Sequence, residues 1–174
     1  MSAPLILHPT ELTLDQMAEL KEIFFESSAK KEFKDQKEKD DFFWKYLGFY
    51  LVNFPDYVWI ARLGRILGYV VGAPITNDPQ IYEIQPHLKS FEAFFNDYPA
   101  HLHINCHAEA RGLGVGSKLL KELENKLQEA QITGLHIMTS PESRNKNFYK
   151  RLGFDFEVTL NSSGSPILLM GKRF

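Results

Sequence analysis

Residues 98–127 read YPAHLHINCHAEARGLGVGSKLLKELENKL, and this stretch decides the fold. Its first part, Ala100 to Cys106, alternates Leu102, Ile104 and Cys106 with His101, His103 and Asn105. A period of two predicts a strand with an apolar face and a polar one. From near Gly116, Leu119, Leu120, Leu123, Leu127 and Ala130 recur at helical spacing, predicting an amphipathic helix. Between strand and helix lie Arg111-Gly112-Leu113-Gly114-Val115-Gly116. Glycines just ahead of a helix leave backbone N–H groups uncovered where the helix dipole is positive, which favours phosphate. The spacing is not GxGxxG and no acidic residue follows at the ribose-binding distance, which disfavours a dinucleotide fold. Gly116-Ser117-Lys118 also fails the P-loop pattern. A strand-to-helix loop gripping a pyrophosphate is the reading that remains.

Arg111-Gly-Leu-Gly114-Val-Gly116 resembles the [Gln/Arg]-x-x-Gly-x-[Gly/Ala] signature of the GNAT superfamily of N-acetyltransferases, with an additional glycine at Gly112. Downstream, Asn145-Lys-Asn-Phe148-Tyr149-Lys-Arg-Leu-Gly153-Phe154 resembles the superfamily's N-x-x-F-Y-x-x-x-G-F run. Two motifs in the expected order and separation are more specific than either alone, and the resemblance covers nearly the whole chain. Tyr98-Pro-Ala-His-Leu-His-Ile104 also resembles a subgroup related to the acetyltransferase-like domain attached to some glycoside hydrolases.

At 174 residues one domain with a substantial core is expected. Twenty Lys and Arg against 22 Asp and Glu leave no strong field, so neither nucleic acid nor anionic membrane is expected as a partner. No uninterrupted apolar run is long enough to span a bilayer. The N-terminus lacks a basic-then-apolar signal pattern, so a cytoplasmic location is the default expectation. The single cysteine, Cys106, excludes an internal disulfide framework and reads as core in preference to a nucleophile. A monomer or homodimer is the expected assembly.

Along the chain, Leu5 to His8 reads as a first strand. Thr13-Leu-Asp-Gln16 is a capping box opening a helix with Leu14, Met17, Leu20 and Phe24 on one face. Residues 29–41 mix both charge signs and read as a solvated loop and helix start. The aromatic run Phe42, Phe43, Trp44, Tyr46, Phe49, Tyr50 divides between helix core and the wall of a substrate pocket. Tyr57–Ala61 and Ile66–Val71 flank a turn at Leu63-Gly64-Arg65 as a hairpin. Residues 72–99 read as irregular, with one short helix from His87 to Asn96 burying Leu88, Phe91 and Phe94. The length of this connection suggests an insertion over the acceptor side, with plain packing as the alternative. Gly134 is expected to end the central helix, and Leu135–Thr139 to form a strand parallel to the first in a βαβ unit. Ser140-Pro141 reads as a helix start, Leu152-Gly153 as its stop, and Phe154–Leu160 with Pro166–Lys172 as a closing hairpin across Ser162-Ser-Gly164.

The resemblance implies a mixed α/β (α+β), mostly antiparallel central sheet with one splayed parallel strand pair and flanking helices. It implies acetyl-CoA as co-substrate and an N-acetyltransferase acting by direct attack in a ternary complex on a small-molecule or protein amine. Carried over, the backbone of Ile104, Asn105 and Cys106 would pair with the pantetheine. Arg111, Gly112, Leu113, Gly114, Val115, Gly116 and Ser117 would hold the pyrophosphate, and Asn145 belongs to the second motif at the cofactor. Tyr149 would give a proton or a hydrogen bond to the leaving thiolate; the alternative is that it is helix core. Where family enzymes often carry a glutamate base on the central strand, this chain has His101 and His103, with His103 ahead. The alternative is that a histidine satisfies buried polar groups in the sheet. His-x-His offers two metal ligands with no evident third, so no metal is expected. The rival function is a non-catalytic acyl-CoA-binding or recognition domain of the same fold.

Overall fold

The computed structural model describes residues 3–9, 12–162 and 164–174. In chain order its elements are β1 (Leu5–Leu7), α1 (Leu14–Ser27), α2 (Gln36–Phe43), α3 (Phe49–Asn53), β2 (Val58–Leu63), β3 (Arg65–Ala73), α4 (Pro79–Ile84), β4 (Ala100–Cys106), α5 (Val115–Glu129), β5 (Gly134–Thr139), α6 (Lys146–Arg151), β6 (Phe156–Ser162) and β7 (Ser165–Arg173). The seven strands run in the order β1-β2-β3-β4-β5-β7-β6. β1–β2, β2–β3, β5–β7 and β6–β7 are antiparallel, and β4–β5 is the parallel pair that the βαβ reading requires. The β4–β5 ladder covers Ala100 with Leu135 and His101 with His136.

Two compact units partition the chain: Met1–Gly72 with His103–Asn125, and Ala73–Leu102 with Lys126–Phe174. In the first, Thr13 caps α1 by accepting from Gln16 N–H, and the Gln16 side chain returns the bond to Thr13 N–H. Leu20, Ile23 and Phe24 face the core, whereas Leu14, at the first helical position, is 90% exposed. Asp35 caps α2, which continues through a π-helical stretch, Trp44–Gly48, into α3. The charged segment thus becomes helical only from Gln36, and the aromatic residues follow on the same helical run.

In the second unit the connection after β3 is more ordered than its prolines suggest. Asp78 accepts from Gln80 and Ile81 N–H, and Pro79 opens α4. A 3-10 helix, Pro86–Phe94, buries Leu88 and Phe91, while Phe95 replaces Phe94 as the third buried side chain. Ser140-Pro141 does not start a helix. Ser140 instead accepts from Glu142 N–H through its hydroxyl and from Ser143 N–H through its carbonyl, closing turns, and α6 begins at Lys146. Gly153 takes φ +87 after α6, the left-handed stop expected there.

Gly134 does not end α5; it opens β5, where a Cβ would lie 2.3 Å from the Asp97 carbonyl oxygen. The helix closes earlier, at Gln131 with φ +58, so Ala130 is exposed past its end. Ile132 N–H bonds to Leu127 C=O and Gln131 N–H to Gln128 C=O, the pairings of a Schellman motif with glutamine at the left-handed position. The β6–β7 hairpin pairs Ser162 with Ser165 over Gly164 at φ +83; Ser163 of the expected turn lies outside the described residues.

Candidate active site

β4 ends where His107 N–H bonds to Leu67 C=O at 2.8 Å. A 3-10 turn, Ala108–Ala110, follows, and Arg111 N–H and Leu113 N–H bond back to Ala108 and Ala110 C=O, each at 3.2 Å. Gly112 and Gly114 take φ +78 and +70, and a Cβ on either would meet nothing within 4 Å. Left-handed backbone, with no side chain lying over it, turns the chain into α5. Lys118 N–H bonds to Gly114 C=O at 3.1 Å, closing the first turn. The N–H groups of Val115, Gly116 and Ser117 therefore have no carbonyl four residues back and point past the helix end. With the dipole of a 15-residue helix behind them, they form an anion cradle.

The strand leading into the loop is tied to β3 near its C-terminal end. Asn105 Nδ2 donates to the Tyr69 hydroxyl at 2.7 Å, and burial pushes that phenol's pKa up to the point where it stays protonated. Burial also pushes the Cys106 thiol up to about 11, so it is a neutral thiol at physiological pH and a poor nucleophile. His103 is half-buried, its Nε2 shielded from solvent, with the rings of Tyr46 at 5.5 Å and Tyr50 at 5.3 Å edge-on to it. Tyr46 comes from the π-helical stretch, a local widening that recurs at functional positions.

In the second unit His101 is 4% exposed. The Thr76 hydroxyl gives its one proton to Pro99 C=O at 2.8 Å, so the 2.7 Å contact from His101 Nδ1 to Thr76 Oγ1 is donated by the imidazole. That fixes the neutral tautomer with its lone pair on Nε2. His136, paired opposite on β5, donates Nδ1–H to Tyr98 C=O at 2.7 Å and stacks on Phe95. Tyr149 lies on α6, buried, with Phe148 at 5.2 Å and Phe154 at 5.4 Å. Asn145, just ahead of α6, accepts from the Thr139 hydroxyl at 3.1 Å through its side chain and from Tyr149 N–H through its carbonyl.

Ile104, Asn105, Cys106 and Arg111–Ser117 thus share the first unit with His103, whereas His101, Asn145 and Tyr149 belong to the second. Sequence reasoning missed Thr76, Tyr69 and His136 as partners. Tyr46 and Tyr50 carried a signal, the aromatic run, that did not say which of its rings would turn toward β4.

A sequence model of the acetyltransferase (GNAT) family matches residues 14–154. The chain belongs to this GNAT family. Solved structures of similar fold span nearly its whole length. SsHAT is 19% identical with a TM-score of 0.74, covering 99% of this chain and 98% of its own. The ribosomal-protein-alanine N-acetyltransferase from Brucella melitensis is 20% identical with a TM-score of 0.64, covering 98% and 99%. A chain of the NatC complex, solved with Gag peptide and CoA, is 14% identical with a TM-score of 0.66, covering 99% of each. At these identities the likeness is one of fold. In this GNAT chain the subgroup likeness of Tyr98–Ile104 to a domain attached to glycoside hydrolases stays a matter of sequence.

Proposed function

We propose that this GNAT chain is an acetyl-CoA-dependent N-acetyltransferase that moves an acetyl group to a primary amine of a small molecule or protein in a ternary complex. The observation carrying the reading is the bare loop at the start of α5, whose left-handed glycines expose consecutive N–H groups. In the proposal these groups hold the pyrophosphate, with Arg111 adding charge, and the β4 backbone at Ile104–Cys106 pairs with the pantetheine. An N–H of that strand polarises the thioester carbonyl. The neutral amine attacks the carbonyl carbon, a C–N bond forms, and collapse of the tetrahedral intermediate breaks the C–S bond. His103 takes the proton lost by the nitrogen, and Tyr149 gives one to the departing thiolate. The half-buried setting of His103 between two tyrosine rings supports the choice of base. His101, held by Thr76, acts in positioning β4.

The proposal extends to the whole chain as one catalytic domain, cytoplasmic, monomeric or homodimeric, with no metal in the transfer step. The balance of 20 basic and 22 acidic residues supports a partner that is neither nucleic acid nor membrane. No described helix is long and apolar enough to cross a membrane. Thiol release from acetyl-CoA, measured against a panel of amines, tests the activity. Tyr149→Phe keeps the ring and removes the phenol, so acetyl-CoA affinity is retained and the single-turnover rate falls by roughly 10²–10⁴-fold. An unchanged single-turnover rate makes the phenol structural. Tight acetyl-CoA binding without turnover of any amine moves the chain to the non-catalytic acyl-CoA-binding reading.

A further inference from the structure

Glu22 and Glu26 stand one turn apart on the same face of α1, so both carboxylates reach the same point beyond the helix. His107, where β4 passes into the glycine loop, meets them there. One ligand atom from each of Glu22, Glu26 and His107 lies within 4.8 Å of the others. Carboxylate oxygen and imidazole nitrogen both ligate zinc, and a site with three protein ligands leaves a position for water. The two elements are held independently of any ion. Glu19, on α1, accepts from Ile66 N–H at 2.7 Å, and His107 N–H bonds to Leu67 C=O. Both anchors sit on adjacent residues of β3.

The local charge is unbalanced toward a cation. Glu22 shares the Arg65 guanidinium at 3.3 Å, but among the described residues the only basic group in ion-pair reach of Glu26 is His107, at 3.6 Å. Of the nearby ammonium groups, Lys21 lies over the Phe43 ring at 5.0 Å and Lys39 over Phe25 at 4.7 Å, while Lys31 donates to the backbone carbonyls of Phe25 and Glu26 and makes no ion pair with the Glu26 carboxylate among the described residues. Glu109 brings a third carboxylate to 3.7 Å from His107 Nδ1. The His107 ring is largely shielded, its side chain 12% exposed.

We propose that Glu22, Glu26 and His107 bind a divalent transition-metal cation of the Zn2+ class. His107 Nδ1 accepts from Glu109 N–H at 3.3 Å, which puts the proton of the neutral ring on Nε2, facing Glu26. A metal at Nε2 would move that proton to Nδ1, which would give up the bond from Glu109 N–H and donate to the Glu109 carboxylate, 3.7 Å away. A carboxylate behind a ligating imidazole is the usual outer partner that orients the ring and strengthens the ligand. The bound ion ties α1 to the first turn of the loop that runs into Arg111–Gly116, independently of the acetyl-transfer reading.

Calorimetric titration of Zn2+ into the full, untagged chain tests the site, with melting curves in chelator confirming that each variant folds. The expected result is one equivalent bound. Glu26→Gln and His107→Gln should each cost at least the roughly 10–100-fold in affinity that loss of an outer partner costs, and Glu109→Gln should fall in that range. Glu129→Gln and His103→Ala should leave the titration unchanged. Absence of a one-equivalent transition, or its survival in both Glu26→Gln and His107→Gln, overturns the site. Its loss in His103→Ala alone overturns it also and moves the metal to the His-x-His strand.

Discussion

At the scale of single residues, the buried imidazole of His136 makes a prediction that needs no assumption about substrate. Its Nδ1 donates to Tyr98 C=O, its Nε2 has no hydrogen-bond partner among the described residues, and it is wholly buried. Desolvation pushes its pKa down to about 4 from the ordinary 6.5, the bond to Tyr98 working in the opposite direction. The unfolded chain therefore takes up this proton at higher pH than the native one. The associated stability is fully present above about 6.5 and is lost progressively as the pH falls toward 4. At 1.36 kcal/mol per pKa unit the loss is about 3 kcal/mol. Urea melts of the parent and of His136→Leu from pH 7 to 4.5 check most of it: over that range the parent should lose about 2 kcal/mol more than the variant. Parallel curves would show that His136 titrates alike in both states.

The elements around the glycine loop carry a prediction about α5. Gln131 closes this helix at φ +58, a conformation that costs a residue with a Cβ about 1–2 kcal/mol. Its side chain is exposed, and the two Schellman bonds use only backbone. Gln131→Gly keeps both bonds and removes the strain, and the greater freedom of glycine in the unfolded chain returns part of the gain. A net stabilisation of about 0.5–1 kcal/mol is expected, read as a higher urea midpoint with unchanged slope. A lower midpoint would mean that glutamine relieves its strain through a contact of its own. At the other end of the helix, Gly114→Val is a poor probe of phosphate binding, because a β-branched residue at φ +70 is strained before any ligand arrives. Gly116 lies within the first turn of α5 and is free of that confusion.

For the molecule as a whole, ligand linkage tests the cofactor reading in one measurement. A ligand that binds only the native state adds about 2.7 kcal/mol at 100 times its Kd. In a chain of this size that raises Tm by roughly 5–10 °C. Acetyl-CoA should produce such a shift in the parent, and Gly116→Val should abolish it while its unliganded Tm stays close to the parent's. A full shift in Gly116→Val would remove the loop from the cofactor site.

What the sequence determined by itself is what short-range physics controls. The alternation through Ala100–Cys106, the leucine spacing of α5, the Thr13–Gln16 capping box and the stop at Gly153 each depend on residues a few positions apart. Each of these elements is read in its place, although His101 is as buried as Leu102, which the alternation does not predict. Local rules misplaced an element where a second local solution existed. Ser140-Pro141 closed turns in place of a helix, and Gln131 took the left-handed position while Gly134 served a close approach to Asp97. Tertiary structure alone decided which groups meet. Thr76 fixes the His101 tautomer, Tyr46 and Tyr50 flank His103, and Glu22 and Glu26 face His107. No periodicity encodes these encounters, because they join segments whose separation in the chain sets no distance between them until the sheet has ordered its strands.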